Sequence, residues 1–176
     1  ELLRAINFAK TNGGALHLIG LVSDGGVHSH IDHIKATLQL AKKHGLKEVY
    51  VHAILDGRDS AMTGGIKFVA DLQKTCKQTG AQIKTLCGRA WAMDREKYYD
   101  RTEKAYNAIV LGQADFEGDD PITEIQESYA AGITDEFFEP TIIGTPTPMM
   151  EGDAVIFCNV RKDRMREFLE ALTFDD

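Results

Sequence analysis

The chain has 176 residues, 43% of them hydrophobic and 27% charged, a balance typical of a globular chain long enough for one domain with a sizeable core. Its net charge of −7 argues against a nucleic-acid partner, because phosphate backbones need a basic face. No stretch approaches the roughly 20 apolar residues of a bilayer span, and no basic-then-apolar signal segment opens the chain, so no membrane partner is expected.

The chain begins at Glu1 in a helical pattern (Leu2, Leu3, Ile6, Ala9). It closes on Phe174-Asp175-Asp176 soon after an amphipathic helix, and both ends read as cuts through a longer protein. Ala15–Val22 reads as a buried strand. Ile31–His44 carries a helical stripe at Ile31, Ile34, Leu38 and Ala41, stopped by Gly45. Glu48–Leu55 is the next strand, Gly65–Thr79 a helix, and Gln82–Cys87 a third strand. A long helix over Arg95–Leu111, a shorter one over Pro121–Ala131, a late strand over Asp153–Asn159 and a last helix over Arg161–Leu172 complete the series. This alternation predicts a single α/β domain, a three-layer α/β/α sandwich around a mostly parallel sheet. Cys76, Cys87 and Cys158 are odd in number and lack a Cys-x-x-Cys pair. They read as buried reduced thiols of a cytoplasmic protein, with no support for structural zinc.

In such folds ligands bind beyond the carboxyl ends of the strands, and the unusual residues of this chain fall there. Most lysines lie in helix-like stretches, whereas Arg58, Arg89, Arg95, Arg161 and Arg164 lie in turns, where a planar fork of donors suits carboxylate and phosphate. After the first strand comes SDGGVHSH (Ser23–His30). Its glycines allow a tight turn, and Ser29 with Asp32 resembles a capping box, so backbone N–H groups and the His28 imidazole converge on a place suited to an anion. The Gly-Lys-Ser/Thr ending of a Walker loop is absent. His30 reads as loop packing and His33 as helix surface; a His-x-His metal site lacks a matching ligand cluster downstream.

DGRD (Asp56–Asp59) follows the second strand. It reads either as a surface turn with an ion pair or as a hydroxy-acid site, where Arg58 binds the anion and Asp59 accepts the hydroxyl proton. After the third strand, GRAWAMDR (Gly88–Arg95) offers Asp94 as a helix N-cap and leaves Arg95 in a first turn, where the helix dipole disfavours a cation. Trp91 reads as a packing residue. After the late strand, Arg161 and Arg164 are spaced to share a helical face, with Asp163 pointing elsewhere to cap or pair. Five arginines, a histidine and an aspartate at one sheet edge imply a small, multiply charged anion bearing a hydroxyl.

These segments, with KAYNAIVLG (Lys104–Gly112), GITDEF (Gly132–Phe137) and GDAVIFCNVRKDRMR (Gly152–Arg166), resemble the signature of cofactor-independent phosphoglycerate mutases across nearly the whole chain. The resemblance implies a monomeric, two-domain glycolytic enzyme that interconverts 3- and 2-phosphoglycerate. A phosphatase-like domain would carry two metal ions, usually manganese, and a serine that takes the phosphoryl group. This chain corresponds to the inserted domain that holds the glycerate. On matching positions, the resemblance makes His28, Arg58, Asp59, Arg89, Arg95, Arg161 and Arg164 substrate contacts, with Asp59 orienting the free hydroxyl and moving its proton. It assigns no metal ligand to this chain, so the chain alone should not turn over. The usual Thr-Pro-Pro-like stretch after DGRD is Ser60-Ala61-Met62 here. The usual Tyr-Tyr of the third segment is Ala90-Trp91, and NFRPDR is Asn159-Val160-Arg161-Lys162-Asp163-Arg164. The charged positions survive each change. Rival readings are a non-catalytic phospho-metabolite binding module and a His-x-His metal hydrolase.

Overall fold

A computed structural model describes residues 1–173; the terminal Phe174-Asp175-Asp176 lies outside them. The elements run α1 (Leu2–Asn12), β1 (Leu16–Leu21), α2 (Ile31–Lys43), β2 (Val49–Leu55), α3 (Gly65–Thr79), β3 (Gln82–Gly88), the single turn α4 (Arg89–Ala92), α5 (Tyr99–Tyr106), β4 (Phe116–Gly118), α6 (Pro121–Ala130), β5 (Thr141–Ile143), β6 (Ala154–Phe157) and α7 (Arg166–Thr173). A π-helical turn over Asn107–Leu111 extends α5. The six strands form one sheet in the order β4-β5-β3-β2-β1-β6, parallel throughout except for the β3–β5 pair.

Strand periodicity sends alternate side chains to opposite faces, and each face builds its own core. Leu16, Leu18, Val49, Val51 and Ala53 pack beneath α1, α2, α3 and α6, against Ile6, Ile34, Leu38, Leu72 and Ile125. Ile19, Leu21, Ile54 and Cys87 pack on the other face beneath α5 and α7, against Ala105, Ile109 and Phe168. The α/β/α sandwich expected from the alternation is therefore present. Each fully buried Leu or Ile in these layers contributes about 1.5–3 kcal/mol.

A polar chain crosses the second face. The Asp153 carboxylate accepts from His17 Nε2 (3.1 Å); with neutral rings, His17 Nδ1 then accepts from His52 Nε2–H (2.9 Å), and His52 Nδ1 accepts from the Thr85 hydroxyl (3.0 Å). Neutral imidazoles are consistent with that direction of donation. Burial holds the pKa of each below the ordinary histidine value, against the Asp153 charge at His17 and reinforced by His17 and Lys84 at His52.

Three expectations are corrected and one omission is filled. The helix expected over Arg95–Leu111 begins only at Tyr99: Asp94 Oδ2 accepts from the N–H groups of Glu96 (2.9 Å) and Tyr98 (3.0 Å), and Lys97 adopts a left-handed φ of 65°, which a helix cannot contain. Asp94 thus caps a turn ahead of the helix, and Arg95 lies in that turn, clear of any dipole conflict. The last helix begins at Arg166, so Arg161 and Arg164 do not share a helical face. The cap of α2 is His30, whose Nδ1 accepts from Asp32 N–H (3.2 Å), whereas Ser29 Oγ donates to Cys158 O (3.1 Å). Finally, β4 and β5, three residues each, have no counterpart in the sequence reading, being too short to show a period.

Candidate functional site

Because β1, β2, β3 and β6 are parallel, their carboxyl ends share one edge of the sheet, and the loops leaving them meet there. The centre of that meeting is Asp56, at the end of β2 and 1% exposed. Its Oδ2 accepts from Ser23 Oγ (2.6 Å) after β1, and its Oδ1 accepts from Arg89 Nη1 (2.6 Å) after β3. Oδ1 also accepts the N–H groups of Arg58 (3.2 Å) and Asp59 (3.0 Å), closing the DGRD turn on itself. Burial opposes the Asp56 charge, but the bonds from Ser23, Asp59 N–H and Arg89 outweigh it and hold the carboxyl below its ordinary pKa.

Arg89 is 3% exposed, and its Nη1 also donates to Asp59 Oδ2 (2.6 Å). Both hydrogens of that nitrogen are therefore committed to carboxylates. Burial disfavours the guanidinium charge, yet the bonds to Asp59 and Asp56 raise its pKa overall. Close backbone approach makes this packing possible. A Cβ on Gly25 would stand 2.7 Å from Asp59 O, and one on Gly57, at φ 71°, 2.8 Å from Glu136 N.

His28 is buried beside the pair, with Nε2 3.8 Å from Asp59 Oδ2 and Nδ1 4.0 Å from Asp163 Oδ1. Burial, then the charges of Arg89 and Arg161, hold its pKa below the ordinary value, against the pull of Asp59 and Asp163. Asp163 does not point elsewhere. Its Oδ2 accepts from Arg161 Nη2 (3.1 Å) and pairs with Arg95 Nη1 (3.5 Å). Arg164 Nη1 donates to Met93 O (3.2 Å); burial and then the positive charges of Arg95, Arg89 and Arg58 lower its pKa. Arg58 reaches Glu136 Oε1 (3.4 Å). The side chains of Arg58, Arg95 and Arg161 remain half exposed.

All seven residues singled out from sequence thus share one rim, with three guanidiniums open to solvent and Arg89 committed to internal carboxylates. Sequence reasoning missed Asp56, whose Asp-Gly signal reads as an ordinary turn. It also missed Glu136, in the GITDEF segment, where only the acidic character gave a hint. That segment docks on the rim: Gly88 N–H donates to Phe138 O (2.7 Å), Gly65 N–H to Asp135 Oδ2 (2.7 Å) and Trp91 Nε1 to Phe137 O (3.2 Å). Among the described residues no group of three or more His, Cys, Asp or Glu side chains is gathered to hold a metal ion. His30 caps a helix and His33 lies exposed on it. No described helix is long and apolar enough to cross a membrane.

Fold and rim define an α/β domain that gathers arginines and carboxylates at one edge of its sheet. The family model described as BPG-independent PGAM N-terminus matches residues 1–176, and the chain belongs to that family. The chain is 48% identical over 176 residues to a 2,3-bisphosphoglycerate-independent phosphoglycerate mutase of Clostridium perfringens, covering 97% of this chain and 34% of the relative. The corresponding mutase of Moorella thermoacetica is 46% identical over 180 residues, covering 99% and 35%. In structure, the chain is similar to Leishmania mexicana phosphoglycerate mutase, crystallised at low cobalt concentration. The TM-score is 0.86 at 30% identity, over 99% of this chain and 37% of that one. The chain spans about a third of the length of the curated relatives it matches.

Proposed function

We propose that this chain is the substrate-holding domain of a two-domain phosphoglycerate mutase that interconverts 3-phosphoglycerate and 2-phosphoglycerate. One observation carries the reading: four strand-end loops bring Arg58, Arg95 and Arg161, half exposed, around Asp59 and His28. Phosphoglycerate has a phosphate, a carboxylate and one free hydroxyl, and the rim offers a partner for each. The open guanidiniums and Arg164 bind the two anionic groups through charge-assisted bonds. Asp59 accepts a hydrogen bond from the free hydroxyl and takes its proton when phosphoryl transfer turns that hydroxyl into the nucleophile. Holding the glycerate between two transfers exploits proximity, and phosphoryl transfer asks mainly for positioning and charge neutralisation.

The phosphoryl-accepting serine and two manganese ions belong, in this reading, to a phosphatase-like domain elsewhere in the protein. The described residues here provide no metal ligand set, and no step assigned to them needs one. The protein is read as a cytoplasmic monomer whose interdomain closure keeps water from the phosphoserine.

The test is mutase activity of the intact protein with manganese. Arg161→Ala removes a charge-assisted contact worth about 1.5–3 kcal/mol, so kcat/KM falls about tenfold or more. Lys42→Ala, on the exposed side of α2, leaves the rate unchanged. A wild-type rate for Arg161→Ala takes that arginine out of the site. Phosphoglycerate binding to the intact protein without mutase turnover favours the binding-module reading instead.

A further inference from the structure

His28 lies between two carboxylates and reaches neither. Nε2 stops 3.8 Å from Asp59 Oδ2, and Nδ1 stops 4.0 Å from Asp163 Oδ1. His28 Nδ1 and Asp163 Oδ1 are both buried, and both lack a hydrogen-bond partner among the described residues. Two orphaned polar atoms aimed at each other are rare in a folded protein and call for an explanation. The two loops that carry them are already tied together at neighbouring residues. Val160 N–H donates to His28 O (2.7 Å), and Ser29 Oγ donates to Cys158 O (3.1 Å). With the two loops tied at these points, a gap of 4.0 Å remains between the two side-chain atoms.

A neutral imidazole has one N–H to donate, and an imidazolium has two. Four charged groups face His28: Arg89 and Arg161 disfavour the imidazolium, while Asp59 and Asp163 favour it. In the free site, burial and the arginines prevail, and the ring stays neutral with one nitrogen unserved. An anion on the rim cancels the arginine field and reverses that balance.

We infer that Asp163 is a positioning residue which, with Asp59, forms two carboxylate jaws around His28. When a multiply charged anion occupies the arginines, the imidazole takes a proton from solvent and donates one ring N–H to each jaw. This rests on the reading that the rim takes phosphoglycerate. It adds that ligand binding is coupled to protonation of His28, and that Asp163, by releasing Arg95 and Arg161 to the ligand, sets that coupling.

Calorimetric titration of the intact protein with 3-phosphoglycerate, in two buffers of different ionisation heat, counts the protons taken up. His28→Gln supplies the baseline, including the ligand's own phosphate titration. At pH 7 the wild type is expected to take up about half a proton or more above that baseline. Asp163→Asn, which keeps the shape and removes the charge, is expected to bind and lose most of that excess. Ring ¹⁵N shifts of histidine-labelled wild-type protein report the same event with no variant needed, both His28 nitrogens becoming N–H donors in the complex. Binding with equal proton counts in wild type and His28→Gln, or in wild type and Asp163→Asn, overturns the inference and leaves the mutase reading standing. Absence of any binding by wild type overturns both.

Discussion

Asp56→Asn is the perturbation that probes the rim most sharply, because the substitution keeps the volume and removes only the charge. Asp56 accepts from Ser23, Arg89 and two backbone N–H groups at 2.6–3.2 Å, and it is 1% exposed. An amide in its place presents an NH₂ to one set of these donors, and Arg89, itself 3% exposed, keeps Asp59 as its one direct carboxylate partner. Breaking a fully buried pair costs about 3–5 kcal/mol. The retained Asp59 bond offsets part of this, so about 2–4 kcal/mol is expected, from the worth of one charge-assisted bond plus one mispaired donor. At about 2–4 °C per kcal/mol for a chain of this size, Tm falls by about 5–15 °C. Differential scanning calorimetry of the chain reads the shift, with Asp24→Asn, exposed in the adjoining loop, as the silent control. In the intact protein kcat/KM should fall at least tenfold as well, since Asp59 and Arg89 lose their common anchor. A Tm within about 1 °C of wild type would refute the claim that Asp56 organises the rim.

Three further outcomes follow from the structure. His17 and His52 titrate below the ordinary value when folded, so the unfolded chain binds more protons between the lowered values and about 6.5. Their contribution to stability is complete above pH 6.5 and drains away as the pH falls below it, and urea midpoints between pH 8 and 5 should decline on that side only; a flat profile contradicts the neutral chain to Asp153. Burial pushes the thiols of Cys76 and Cys158 up to about 12 and that of Cys87 higher still, so a thiol reagent at pH 8 should label the native chain at a small fraction of its rate in urea, and comparable rates contradict their burial. A Cβ on Gly88 would sit 2.4 Å from Glu136 O and 2.6 Å from Asp135 O, so Gly88→Ala should displace the GITDEF segment and lower Tm by several degrees, whereas Gly26→Ser, in open space, should show only the smaller cost of its positive φ.

The parallel core was legible because β1 and β2 are buried on both faces and read as near-continuous apolar runs. Less legible was anything decided by a single side chain bonding to backbone. The Arg95–Leu111 periodicity is real, but Asp94 captures two N–H groups and Lys97 turns left-handed, so the first turn never forms. The late helix is shortened because Val160 N–H is held by His28 O and Asp163 by Arg161, which draws the segment toward the rim. In the site, the arginines stood out as charges misplaced in turns. Asp56 did not, because Asp-Gly marks a surface turn and a buried turn alike, and burial is decided by the neighbours that β1 and β3 supply.

Gly25 against Asp59 and Gly57 against Glu136 leave three separate stretches of chain touching backbone to backbone. Such joints transmit shape without regard to side-chain identity. Grafting one of these loops from a distant relative would therefore misfit the other two even with every charge preserved. The three are heritable as one cartridge, and an engineer reshaping this rim must exchange them together.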